Sequence, residues 1–302
     1  MARRMRIQFP GAIYHVINRG NYRRDLFETA GAAKAFEATL EEGAPRFRWI
    51  VHAYSLMRNH FHLAVETPEP NLVEGMHWLQ STYATRYNRF RSERGHLFQG
   101  RFQSPLIESG ESLVRVVDYI HLNPVEAGIV SAADAAKFRW SSLGRFVRGS
   151  AGACLTPDRW LGALGLSNGA AGWRTYLARL EQLAEEGWHS QVEKELCTGW
   201  AIGTVAWRRA LAEEFALYKL DPGVSADEAR DFKRARHQTC LDRALQEVGH
   251  TLEHARDAQR GVLWKRDIAR RLRQECAAPY RWIADVLHMG SANSVRAYVH
   301  GK

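Results

Sequence analysis

Phe47-Arg-Trp-Ile-Val-His-Ala-Tyr-Ser-Leu-Met57 is followed, after the break Arg58-Asn59, by His60-Phe-His-Leu-Ala-Val-Glu66. Two adjacent strand-like runs with so short a break read most simply as a hairpin. Upstream, residues 10 to 20 form a further strand pattern, with the β-formers Ile13, Tyr14, Val16 and Ile17 between Gly11 and Gly20. Between that strand and the hairpin, Ala32 to Glu42 has the apolar face Ala33, Phe36 and Leu40 of a helix. Downstream, Leu72, Met76, Leu79, Tyr83 and Tyr87 recur at helical steps from Asn71 to about Arg91. Phe102 to Glu108 is strand-like, and a last helix spans roughly Ser112 to Leu122, predicted to stop at Asn123-Pro124 because a residue before proline avoids helical angles. This order predicts an α+β domain with a ferredoxin-like antiparallel sheet and helices on one side, ending near residue 150.

Gly149-Ser-Ala-Gly-Ala153 is small and flexible, a linker in composition. Beyond it the patterns are mainly helical, at Trp173 to Glu185, Ala206 to Tyr218, Ala226 to Val248 and Lys265 to Gln274. The expected organisation is a domain over 1–150, a helical region of unassigned role over 151–260, and a final segment over 261–302. Trp160 to Gly165 and Ile202 to Thr204 read as turn-bounded pieces of helical packing without chemistry of their own.

The composition is that of a globular protein, 45% hydrophobic and 25% charged, and no run approaches the length needed to span a bilayer. The basic start is followed by Ile7-Gln-Phe-Pro10 rather than an apolar stretch, so no secretory signal is readable and the expected compartment is the cytoplasm. Cys154, Cys197, Cys240 and Cys276 show no Cys-x-x-Cys spacing, so a bound metal would need other ligands. Lys plus Arg outnumber Asp plus Glu by 42 to 33, a net charge of +9 that is mostly arginine and favours a polyanionic partner.

Strand periodicity puts His60 and His62 on one face and Phe61 and Leu63 on the other. Two imidazoles on one face can chelate a divalent ion, or can simply be two exposed strand histidines. Tyr119 and Asn123 are four apart late in a helix and project from one side. Tyr119 reads either as a nucleophile, activated when a cation draws charge from a phosphate, or as a core aromatic.

Together, Tyr14-His-Val-Ile-Asn-Arg-Gly20, Met57-Arg-Asn-His-Phe-His-Leu63, Gly95-His-Leu-Phe-Gln-Gly-Arg-Phe102 and Tyr119-Ile-His-Leu-Asn-Pro-Val-Glu-Ala-Gly128 resemble the single-tyrosine HUH (IS200-like) transposases. The resemblance is greater to the REP-associated tyrosine transposases and covers about the first half of the chain. It implies that Tyr119 attacks a DNA phosphodiester to form a 5′-phosphotyrosine and free a 3′-hydroxyl, with later rejoining. It also implies that His60 and His62 are metal ligands, with Asn123 as the third where relatives often carry glutamine. The implied cofactor is Mg²⁺ or Mn²⁺, with zinc open from the histidines alone. The implied partners are single-stranded and hairpin DNA at repeat sequences, with nucleoid association when bound. Both a monomer and a homodimer stay open.

Phosphate-contact candidates are Arg19, Arg58, Arg86, Arg89, Arg91, Arg94 and Arg101, several of them interleaved with Tyr83, Tyr87, Phe90 and Phe98 as in single-strand binding surfaces. His15 either faces the site or packs, and His52 and His121 read as structural or exposed. Tyr280 to Leu287, the turn at Gly290 and Ser291 to Val299 have helix-turn-helix form, which would place Ser291, Asn293, Ser294 and Arg296 against duplex DNA. Ile283, Ala284, Leu287, Val295 and Val299 would pack inside; the alternative is an ordinary three-helix bundle. Two other functions are compatible with part of the pattern: an HUH relaxase or replication initiator, and a DNA-binding regulator of repeat elements with little or no catalytic turnover. The position of the Tyr119 segment after the histidine pair favours the transposase, and the intact Tyr119, His60 and His62 favour an enzyme.

Overall fold

A computed structural model describes residues 6–215 and 226–300. The chain divides into two compact units, residues 1–204 with 221–225, and residues 205–220 with 226–302.

In the first unit the strands are β1 (Ala12–Arg19), β2 (Ile50–Met57), β3 (His60–Thr67), β4 (Leu106–Ile107) and β5 (Ala201–Ile202), in the order β2-β3-β1-β4-β5. The predicted hairpin is β2-β3, and β1 pairs antiparallel to β3 with Ile17 opposite His62 and Arg19 opposite His60. The sheet is antiparallel from β2 to β4 and becomes mixed at β5, which joins β4 in parallel. Ile202, predicted with Gly203 and Thr204 as a piece of helical packing, therefore belongs to an edge strand. The predicted strand over 102–108 shrinks to Leu106–Ile107 and a bridge at Gln103, because Pro105 has no N–H to donate and only its carbonyl accepts, from His15 N at 2.9 Å.

Helices α1 (Ala30–Arg46), α2 (Leu72–Arg91), α3 (Glu111–Glu126), α4 (Ser142–Val147), α5 (Asp158–Ala163), α6 (Ala170–Glu185) and α7 (Trp188–Cys197) cover the sheet. The apolar side of β3 meets α1 and α2, where Phe36 contacts Phe61 at 4.8 Å and Tyr83 at 5.1 Å between ring centroids. The histidine side meets α3, whose Tyr119 ring is 5.5 Å from that of His62. Helices thus lie on both faces rather than one. The second layer shows in the burial of α3, which is enclosed from Ser112 to Pro124 apart from Arg115, with polar Asp118, His121 and Asn123 among the buried residues.

Helix α3 also runs past its predicted stop. Pro124 removes only one intrahelical donor, and the end is closed by Ile129 N to Pro124 O (2.9 Å) and Gly128 N to Val125 O (2.9 Å). Gly128, at φ +67°, supplies the left-handed residue that this ending requires.

The second unit contains α8 (Val205–Glu214), α9 (Ala226–Glu247), α10 (Leu252–Asp257), α11 (Leu263–Cys276), α12 (Tyr280–Val286) and α13 (Ala292–His300). The expected continuation of α8 to Tyr218 falls outside the described residues. Leu241 and Leu245 of α9 share one core with Ile268, Leu272, Ile283, Leu287 and Val295, so the last three helices do not form a core by themselves. Ile283, Ala284 and Leu287 are buried as the helix-turn-helix pattern predicts, and Gly290 turns the chain at φ +89°. Among the described residues no helix is long and apolar enough to cross a membrane.

Candidate active site

Strand alternation and the β1-β3 register bring His15, Ile17, Arg19, His60 and His62 to one face of the sheet. Tyr119 and Asn123, one turn apart on α3, reach the same place. The result is a cleft of about 360 Å³ whose lining includes Arg19, His60, His62, Tyr119, Asn123 and His189. The residues predicted as nucleophile and metal ligands therefore share one cavity.

His62 is buried, and its Nδ1 is 3.0 Å from Nε2 of His15, whose own Nδ1 is 2.7 Å from the carbonyl of Leu196. His60, half-buried, has its Nδ1 2.8 Å from Oδ1 of Asn59. Burial without a counter-charge disfavours the imidazolium, lowering His15 and His60 to about 4 and His62 well below the ordinary value. Neighbouring Arg19 adds to the effect on His60, and His15 and His60 add to that on His62. All three are neutral near pH 7, the form in which imidazole binds a cation.

Tyr119 is 2% exposed. The thiol of Cys197 donates to its hydroxyl at 3.1 Å, and the ring of His189 stacks on it with centroids 4.2 Å apart and planes 11° from parallel. Burial, followed by the proximity of Cys197, raises the phenol pKa above its ordinary value. The phenol is therefore protonated near pH 7. Asn123 is anchored by Nδ2 donating to the Tyr119 carbonyl at 2.9 Å, which leaves its amide oxygen as the atom it can offer a cation.

His189, Glu193 and Cys197 lie at four-residue steps on α7 and line the cleft from that side. Sequence reading assigned no chemistry to this helix, which lies outside the motifs of the resemblance. The regular spacing was its only signal. Both ring nitrogens of His189 are buried without a partner among the described residues.

His15, open between two roles in the sequence, faces the site. His52 and His121 are structural: His52 bonds Glu66 at 3.0 Å, and His121 bridges the Tyr176 and Ser142 hydroxyls at 2.9 and 3.0 Å. Of the arginines, Arg19 lines the cleft. Arg58 pairs with Asp25, Arg86 with Glu42 and Arg91 with Glu28, whereas Arg89, Arg94 and Arg101 are exposed and make no ion pair among the described residues. Tyr83 and Tyr87 are core residues, with hydroxyls donating to the carbonyls of Leu26 and Asp25, so neither can stack on a base. Phe90 is 73% exposed and can. In the second unit Ser291, Asn293 and Arg296 are exposed and Ser294 half-buried. Ser291 caps α13 by accepting from Ser294 N at 3.2 Å, and Arg296 lies over the Tyr280 ring at 5.2 Å.

Comparison with known proteins matches residues 8–123 to the family described as transposase, IS200 like. A solved structure of a REP-associated tyrosine transposase bound to a REP hairpin is similar, with 20% identity, a TM-score of 0.44, and coverage of 53% of this chain and 91% of that chain. No curated protein matches the chain. The matched residues carry the first four strands, the histidine pair, Tyr119 and Asn123, and over this segment the chain is similar to the IS200-like transposase family.

Proposed function

We propose that the protein is a DNA strand transferase that cuts and rejoins single-stranded DNA at hairpin or repeat sequences, with Tyr119 as nucleophile. The observation that carries this reading is the single cleft shared by Tyr119, His60, His62 and Asn123. The Tyr119 oxygen forms a bond to phosphorus, the bond from phosphorus to the 3′ oxygen breaks, and the proton lost by the phenol is balanced by the one gained at the 3′-hydroxyl. The product is a 5′-phosphotyrosine, from which the same 3′-hydroxyl or another can displace Tyr119 again. No nucleotide cofactor is needed, because each step exchanges one phosphodiester for another.

The donor set fits a divalent cation. His60 and His62 have their Nδ1 atoms occupied and their Nε2 atoms without partners among the described residues, neither of them sealed from the cleft. With the amide oxygen of Asn123 they form an N₂O set with room for phosphate, suited to Mn²⁺ or Mg²⁺. Bound there, such an ion would withdraw charge from the scissile phosphate. Arg19 at the rim adds a fixed positive charge for the DNA backbone.

The last two helices have the form of a duplex-DNA reader, with Asn293 and Arg296 exposed on α13. Because the core of this unit includes α9, truncation at residue 261 would expose apolar surface, and the double variant Asn293→Ala/Arg296→Ala is the cleaner test. Its duplex affinity is expected to fall while single-strand cleavage persists. Unchanged duplex binding would remove α13 from that role.

The central experiment incubates a labelled single-stranded hairpin oligonucleotide with the protein and Mn²⁺ or Mg²⁺. Wild type is expected to form a covalent adduct and Tyr119→Phe none. Equal adduct from both would remove Tyr119 as nucleophile, and binding without adduct from either would favour a regulator without turnover.

A further inference from the structure

We propose that His15 is the positioning residue of the histidine pair. Through two hydrogen bonds that begin at the carbonyl of Leu196, it holds His62 in the tautomer whose Nε2 lone pair is open to the cleft. Helix α7, which lies beyond the matched family segment, thereby sets the state of a ligand on β3. The inference rests on the reading of His62 as a metal ligand given above.

The chain of bonds has only one consistent protonation. A carbonyl oxygen accepts and cannot donate, so His15 Nδ1, 2.7 Å from Leu196 O, carries a hydrogen. His15 is completely buried, and among the described residues its ring nitrogens bond only the Leu196 carbonyl and His62, neither of which is a counter-charge, so a second ring proton is unfavourable. Its Nε2 is therefore a lone pair, and the His62 Nδ1 atom 3.0 Å away must supply the hydrogen. A neutral His62 protonated at Nδ1 is bare at Nε2. An unconstrained histidine populates both tautomers, and the other one would present a proton to the cation.

His60 repeats the arrangement with a different acceptor. Asn59 Oδ1 takes its Nδ1 hydrogen at 2.8 Å. Both members of the pair are thus aligned for ligation through Nε2 before any ion arrives. Hydrogen bonds behind metal-binding histidines commonly orient the ring and raise its basicity in this way.

The geometry also bears on an alternative cluster. His15, His62 and Cys197 offer ligand atoms within 4.8 Å of one another. Using them together would require breaking the bond between His15 and His62 and ionising a thiol that burial pushes up to about 11. The relay therefore argues for the pair His60 and His62, with His15 behind it.

The test uses the full-length protein. Nitrogen NMR of ¹⁵N-histidine-labelled, metal-free wild type at pH 7, with His62 assigned through His62→Gln, is expected to find His62 protonated at Nδ1 and bare at Nε2. In His15→Phe the His62 signal should move to a mixture of tautomers, and Mn²⁺ affinity measured by electron paramagnetic resonance without DNA should fall about 10- to 100-fold. His15→Gln, which keeps an acceptor toward His62, should recover part of that loss. Finding His62 protonated at Nε2 in wild type would overturn the proposal, and so would unaltered Mn²⁺ affinity in a folded His15→Phe protein. The expected tautomer in a wild type that does not bind Mn²⁺ would support the relay and defeat the metal reading instead. The wild-type measurement decides the matter even where the buried substitution prevents folding.

Discussion

The imidazole of His189 lies flat against the ring of Tyr119, with centroids 4.2 Å apart and planes 11° from parallel. Cys197, two turns further along the same helix, donates to the hydroxyl of that tyrosine. Helix α7 therefore fixes Tyr119 by its face and by its oxygen. The geometry gives residues far from the matched family segment a direct part in the site.

His189→Ala should lose the stack and destabilise the protein by about 1 kcal/mol, the usual worth of such an aromatic pair. His189→Phe keeps a flat ring and should remain within a few tenths of a kcal/mol of wild type on the same scale. Urea denaturation of the two variants checks this. Equal stability of His189→Ala and wild type would show that the stack contributes nothing.

The residue before Tyr119 makes a second tie between α3 and the later helices. Asp118 is completely buried and is held by Arg179 of α6 at 2.9 and 3.0 Å, both bonds going to Oδ2, while Oδ1 accepts no hydrogen bond among the described residues. Burial raises its pKa and Arg179 opposes that rise. Arg179→Ala should cost about 3 kcal/mol, because it leaves a buried carboxylate uncompensated, and Asp118→Asn in the same chain should recover part of that loss. A thermal-melting series on the single and double variants would refute this if Arg179→Ala melted like wild type.

Stability should also depend on pH in a defined window. His15 is lowered to about 4 and His121 to about 3, both by burial, against an ordinary value of 6.5. The unfolded chain binds these protons at higher pH than the folded chain does, so stability is complete above about 6.5 and declines as pH falls toward 4. Urea midpoints measured from pH 7.5 to pH 4.5 should decrease through this range. His121→Gln should flatten part of the slope; an unchanged slope would mean that His121 is not among the groups responsible.

Cys197 should react slowly despite its place in the cleft. Its thiol is pushed up to about 11 by burial, with the Tyr119 hydroxyl opposing the rise. At pH 8 roughly one thiol in a thousand would be ionised, and only the thiolate reacts. In a Cys154→Ser background, alkylation of Cys197 at pH 8 should be at least about 100-fold slower than that of a free cysteine peptide. Labelling at the peptide rate would contradict the buried, protonated thiol.

What the sequence determined by itself was whatever depends on short-range periodicity. Two-residue alternation put His60 and His62 on one side of a strand opposite Phe61, and a four-residue step aligned Tyr119 with Asn123. The pattern of Ile283, Ala284, Leu287 and Val295 announced the buried side of the last helices. Local rules were weaker where a neighbour could compensate. Pro124 did not end α3, because Gly128 closes the helix one turn later. Tyr83 and Tyr87 resembled a stacking surface in sequence, yet they turn inward to meet Phe36 and the carbonyls of Asp25 and Leu26. Only the tertiary structure decided which elements cover the histidine face and what stands behind each side chain in the cleft. The bond from His15 to Leu196 joins residues 181 positions apart, and no local pattern encodes such a contact. It exists because β5 joins the far edge of the sheet and α7, just before it, packs against α3 and β1.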